Sequence, residues 1–105
     1  MKVAIITGAG TGMGFEEAKA VAGKGFHTIM ACHHPDAAEE KRLEIIQETG
    51  NENVEVMGIE LANLSDVRRF ADEIKARFDH LDLLMNNAGT IQTHSILRLI
   101  TSNTL

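Results

Sequence analysis

Apolar residues along this chain fall into short runs that alternate with longer stretches in which they recur every three or four positions. Short runs have the length of buried strands, and the longer stretches have the period of amphipathic helices. Lys2–Thr7 predicts a first strand, ended by a cluster of glycines. From Gly12 to about Gly23 the pattern predicts a helix with Ala18, Val21 and Ala22 facing inward, stopped by Gly23 and Gly25. Phe26–Cys32 predicts a second strand. Pro35-Asp36 opens a second helix, with Asp36 and Glu39 spaced as an acidic capping box, Leu43 and Ile46 in its apolar stripe and Gly50 after its last turn. Asn53–Ile59 predicts a third strand, with Val54, Val56 and Gly58 on one face. Ser65 is the expected N-cap of a third helix, and Val67, Phe70, Ala71, Ile74 and Phe78 form one face of it. Leu81–Asn86 predicts a fourth strand, apolar enough to be covered on both sides.

Strands alternating with helices in this way predict βαβ units and a parallel sheet. The expected fold is a three-layer α/β sheet of the doubly wound, Rossmann type with spatial strand order 3-2-1-4, the fourth strand crossing the switch point. At 105 residues the chain is one small domain with no room for a separate substrate domain. Its net charge of −5 gives no electrostatic reason to expect nucleic acid or an anionic membrane as partner. A lone cysteine, Cys32, excludes an internal disulfide and fits a reducing compartment. The apolar run Val3 to Ile6 is too short for a signal peptide or a membrane span, so a cytoplasmic location is expected.

Between the first strand and the first helix stands Thr7-Gly8-Ala9-Gly10-Thr11-Gly12-Met13-Gly14. Glycine lets a backbone turn sharply and approach a pyrophosphate closely, and the helix behind it offers free N–H groups and a favourable dipole. The spelling fits neither G-x-G-x-x-G nor a P-loop, which needs Gly-Lys-Ser/Thr. It fits T-G-x-x-x-G-x-G, and with it come Glu60-Leu61 at the end of the third strand and Asn86-Asn87-Ala88-Gly89 at the end of the fourth. Three motifs in order, each at the carboxyl end of an expected strand, resemble those of the short-chain dehydrogenases/reductases over about residues 2–90. Ala31-Cys32-His33 before a long polar helix is similar to the retinol-dehydrogenase-like members.

The resemblance implies a dinucleotide cofactor and hydride transfer between its nicotinamide and an alcohol or carbonyl. Gly8, Gly12 and Gly14 would line the pyrophosphate, with contacts from Thr11 and Met13. Glu60 would face the adenine amino group with the Leu61 backbone beside it; the family usually has aspartate there. Asn87, Ala88 and Gly89 would lie beside the adenine-side ribose and hold the fourth strand. At the end of the second strand NAD users carry an acid and NADP users a base. Here Cys32-His33-His34 come first, and the first acid is Asp36. NADP is the favoured expectation because no acid stands there to repel a 2′-phosphate; NAD is the alternative, because relatives have arginine where His33 stands and neutral histidine substitutes for it poorly.

The family's proton relay needs a tyrosine, a lysine four residues on and an upstream serine. This sequence has no tyrosine and no lysine after Lys75, so no catalytic residue is assigned and the chain is expected to be inactive alone. Ser95 and Ser102 follow the Asn-Asn-Ala-Gly motif too soon to serve. The divergent tail, residues 91–105, reads as an early stop, an alternative end or a misplaced gene terminus. A strand-four edge left open by truncation would be free for self-association. Two other readings stay open: a non-catalytic product that binds another protein, and a reading frame without function. No metal is expected, because Cys32, His33 and His34 are adjacent and lack a second ligand pair. Cys32 should be an inert buried thiol, and His27, His80 and His94 solvated or capping residues.

Overall fold

The computed structural model describes residues 1–10 and 12–87, together with Arg98. Apart from Arg98, the expected tail, His94 included, lies outside the described residues. Seven elements follow one another as β1 (Val3–Thr7), α1 (Gly12–Gly23), β2 (His27–Cys32), α2 (Pro35–Thr49), β3 (Val54–Gly58), α3 (Leu64–Arg77) and β4 (Leu83–Asn86). The sheet is parallel throughout, with the order β3-β2-β1-β4. Strand order and layer count are those the hydrophobic pattern predicts.

β1 is a continuous apolar run because both of its faces are covered. Ile5 and Val3 join Ile29, Met57, Val67, Phe70 and Ile74 on the α3 side, while Ala4 and Ile6 join Phe15, Ala18, Val21, Met30 and Ile45 on the α1 and α2 side. β4 is covered more thinly. Leu84 packs toward the first cluster and Leu83 and Met85 toward the second, yet all four of its residues are only partly buried. Its outer edge has no partner strand among the described residues. Asp82 locks β4 to the start of β1: its carboxylate accepts from the Val3 N–H at 2.7 Å, and its own N–H donates to the Val3 carbonyl at 2.9 Å.

Helix ends depart from the expected caps. α2 begins at Pro35 with His34 as N-cap, and no side-chain bond caps it. Glu39 turns instead toward Arg42, which donates to it at 2.7 Å, so the Asp36/Glu39 box does not form. An arginine one turn ahead offers that carboxylate a charge-assisted bond, stronger than a backbone N–H does. In α3 the cap is Asn63, whose side chain accepts from the Asp66 N–H, and Ser65 lies within the first turn. The buried stripe of α2 is Ala38 and Ile45, with Ile46 partly covered, whereas Leu43 is exposed. That stripe could not be read from periodicity, because α2 has apolar residues at 43, 45 and 46 and only contact with α1 and β3 selects among them.

Of the histidines expected to be solvated or capping, His80 is exposed and His27 is not, and both are held by neighbours. His27 is half-buried, its Nε2 lying 2.6 Å from a Glu55 oxygen and its ring edge-on to Phe78. Burial alone would raise the Glu55 carboxyl, but hydrogen bonds from Arg77 and His27 together hold it below the usual carboxylate range. His80 sits between Asp79, Asp82 and the Met1 carbonyl; the Asp79 hydrogen bond first, then the Met1 carbonyl, raise its pKa above that of free imidazole. No helix among the described residues is long and apolar enough to cross a membrane.

Candidate functional site

β1 ends at Thr7, and the chain must reverse within a few residues to enter α1. Gly8 and Gly12 do this with φ of 62° and 59°, the left-handed region that side chains disfavour. Gly14 has another reason to be glycine. A β-carbon there would stand 2.1 Å from the Gly8 carbonyl oxygen and 2.8 Å from its carbon, so the first turn of α1 lies directly on the strand-to-helix turn. Ala9, fully buried, pins the turn to the core. Gly10 and Gly12 face open space, with nothing within 4 Å of a β-carbon at either. The first turn of α1 carries no acidic residue, so no carboxylate within it offsets the positive end of the helix dipole, which suits an anion. Met13 stands exposed beside them, and Thr11 lies outside the described residues.

Two hollows flank this turn. One, of about 240 Å³, lies between the ends of β2 and β3 and is walled by Ala31, Cys32, Ile59, Leu61 and Ala62, with Gly8, His33 and Glu60 at its rim. Its lining is mostly apolar, which suits a flat ring. The other, of about 310 Å³, lies between Gly8, Gly10 and the start of α2, where His33, His34, Ala37, Ala38 and Lys41 complete it.

His33 and Glu60, expected at opposite ends of an adenosine, meet directly at 2.6 Å across the strand ends. The other Glu60 oxygen accepts from the Ala62 N–H at 3.1 Å, and the Glu60 N–H donates to Asp66 at 2.7 Å. The Arg69 guanidinium and that N–H hold the Asp66 carboxyl below the usual range. Glu60 is thus fixed from both ends rather than free on the surface. Burial pushes the Cys32 thiol up, away from the reactive thiolate. Among the described residues no three of His, Cys, Asp and Glu gather as a metal site would require.

At the end of β4 a network closes over Thr7. Its hydroxyl donates to the Asn86 side-chain oxygen at 2.5 Å and accepts from the Asn87 N–H at 3.1 Å. The Asn87 amide donates to the Thr7 carbonyl at 3.2 Å and to Glu17 of α1 at 2.6 Å. Asn87 therefore ties β4, β1 and α1 together whatever else it touches. Ala88 and Gly89 lie outside the described residues.

Gly8 and His33 border both hollows, and Glu60 and Leu61 share one of them, so these motifs converge on the carboxyl ends of the strands. Thr7 opens the glycine motif, but its bonds to Asn86 and Asn87 are not legible there. Glu17 and Lys41 carry no signal of their own in the sequence; they are helix charges that only packing brings to the site.

A family model for short chain dehydrogenase matches residues 2–104. Retinol dehydrogenase 11 of Mus musculus is 44% identical over 90 residues, which cover 86% of this chain and 28% of that protein. Among solved structures, menthone neomenthol reductase from Mentha piperita superimposes with a TM-score of 0.77 at 36% identity, covering 85% of this chain and 32% of the reductase. A metagenomic short-chain oxidoreductase in complex with NADP gives 0.78 at 27% identity, covering 85% of this chain and 39% of the other. The chain thus spans about a third or less of the first two proteins it matches.

Proposed function

The chain belongs to the short-chain dehydrogenase family, and from that premise we propose that its 105 residues form a working NADP-binding half that performs no turnover alone. The observation that carries the reading is the open glycine turn under an acid-free helix N-terminus, between two hollows at the carboxyl ends of the strands. The fit is tested by the turn itself: the space over Gly10 and Gly12 would be filled by β-carbons, while the Gly8 and Gly14 backbones are already packed on each other. Gly8, Gly12 and the first turn of α1 would hold the pyrophosphate, with Thr11 and Met13 alongside. The apolar hollow beside Glu60 and Leu61 would take the adenine, and Asn87, Ala88 and Gly89 would flank the ribose. A bound nicotinamide supplies a hydride acceptor or donor for an alcohol or carbonyl. NADP is favoured over NAD because, among the described residues, no carboxylate lines the hollow beyond β2 to repel a 2′-phosphate. No tyrosine is present to move the proton that must accompany the hydride. The retinol dehydrogenase resemblance points to a lipophilic alcohol or aldehyde as the substrate class of a complete enzyme.

Calorimetry with NADPH and NADH, alongside thermal melts, tests this. Saturable binding is expected, and a ligand at a hundred times its Kd should stabilise the fold by about 2.7 kcal/mol. NADPH oxidation with a panel of aldehydes and ketones should stay at background. A folded chain that binds neither nucleotide, or one that turns over, overturns the reading. The outer edge of β4 extends it: no described strand lies beside that edge, and an edge strand favours pairing with a second copy. Sedimentation should give a mass that rises with concentration, and a constant monomer mass would remove self-association.

A further inference from the structure

We propose that Lys41, in the second turn of α2, recognises the 2′-phosphate of the dinucleotide, so that cofactor choice is set from α2 and not by His33, which follows β2. This rests on the dinucleotide reading above and names the residue that would decide its specificity.

Among the described residues, the basic side chains around the hollow of about 310 Å³ are His33, His34 and Lys41, and no carboxylate lines it. His33 has its ring nitrogen 2.6 Å from Glu60, so any positive charge it carries is cancelled by its partner. His34 lies against the His33 ring, with centroids 4.4 Å apart. Lys41 differs. Its Nζ lies 4.9 Å from the centre of the Phe15 ring, and among the described residues it makes no ion pair. Lys19 approaches the same ring at 5.2 Å but lies near Glu16 and Glu48, at 3.7 and 3.4 Å. Phe15 thus stands between two lysines, one already neutralised and one held toward the hollow with its charge unmatched.

A lysine with no carboxylate partner among the described residues attracts a dianion, because it gains a partner without breaking an existing pair. A phosphate monoester carries about −1.5 to −2 charges near neutral pH, with three acceptor oxygens. Ala37 and Ala38 of the first turn of α2 line the same hollow, and Asp36 in that turn offsets part of the positive end of the helix dipole. Asp36 is exposed and does not line the hollow. A 2′-hydroxyl carries no charge for Lys41 to meet, so the lysine separates the two cofactors by the phosphate alone.

The test is titration of the full chain and of K41M and K41R with NADPH and NADH. Methionine keeps an unbranched stem against Phe15, and NADH affinity reports on the fold of each variant. The wild type should bind NADPH at least about tenfold more tightly than NADH, equivalent to about 1.4 kcal/mol. K41M should bring the two affinities together by weakening NADPH alone, and K41R should keep most of the preference. A preference that K41M retains, or that H33Q removes while K41M does not, overturns the proposal. Equal binding of both cofactors by the wild type also overturns it and leaves the dinucleotide reading standing. Binding of neither removes both.

Discussion

Replacing Gly14 with alanine should cost about 3 kcal/mol, the upper part of the range for forcing atoms into a packed interior. The added carbon would lie 2.1 Å from the Gly8 carbonyl oxygen and 3.1 Å from the Ala9 Cα, and these are backbone atoms that no rotamer change can move aside. Relief requires lifting the first turn of α1 off the strand-to-helix turn, which also drags Phe15 and Ala18 from the core. Folded domains are stable by only about 5–15 kcal/mol, so such a loss should be plain in a urea melt and should abolish nucleotide binding with it. Gly10→Ala is the control, since nothing lies within 4 Å of its new carbon and no left-handed φ is required there. It should melt within about 0.5 kcal/mol of the wild type. Equal melts for both variants would show that the close approach of Gly14 to Gly8 is not what the turn depends on.

Phe70→Ala should be at least as costly, at about 3–5 kcal/mol. Phe70 is the bulkiest of the fully buried side chains and lies at the centre of the cluster that joins α3 to β1 and β2. Its neighbours Val67 and Ile74 sit on the same helical face and Ile5 and Ile29 on the sheet, so the void has walls from several elements and cannot collapse onto one. Leu43→Ala, on the exposed side of α2, should change stability by less than about 0.5 kcal/mol. The readout is the urea midpoint at constant slope. A loss below about 1 kcal/mol for Phe70→Ala would mean that α3 is not seated on this face of the sheet.

The contrast between Phe70 and Leu43 shows how far the sequence reaches. In α3 the buried apolar positions recur with one helical period and, Leu64 and Ala76 apart, polar residues fill the rest, so its buried face is legible from the period. In α2 apolar residues occupy competing positions and Lys41 lies among them, so its stripe is decided by contact. Caps behave similarly. Ser65, Asn63 and Asp66 all carry the right chemistry within a few residues, and only the path of the chain out of β3 selects Asn63.

By itself the sequence determined the order of elements, the parallel sheet with β1 at its centre, the family, and the glycine turn as the place where chemistry gathers. These follow from local physics: side-chain period, the turns glycine permits, and the need to cover both faces of an apolar strand. Tertiary structure alone decided that His33 pairs with Glu60, that Asn87 ties Thr7 to Glu17, and that Lys41 reaches the hollow beyond β2. Thr7 and Asn87 are 80 positions apart. Such pairings depend on which strand ends and helix faces are brought together, and one chain's pattern carries no direct record of a contact between distant side chains.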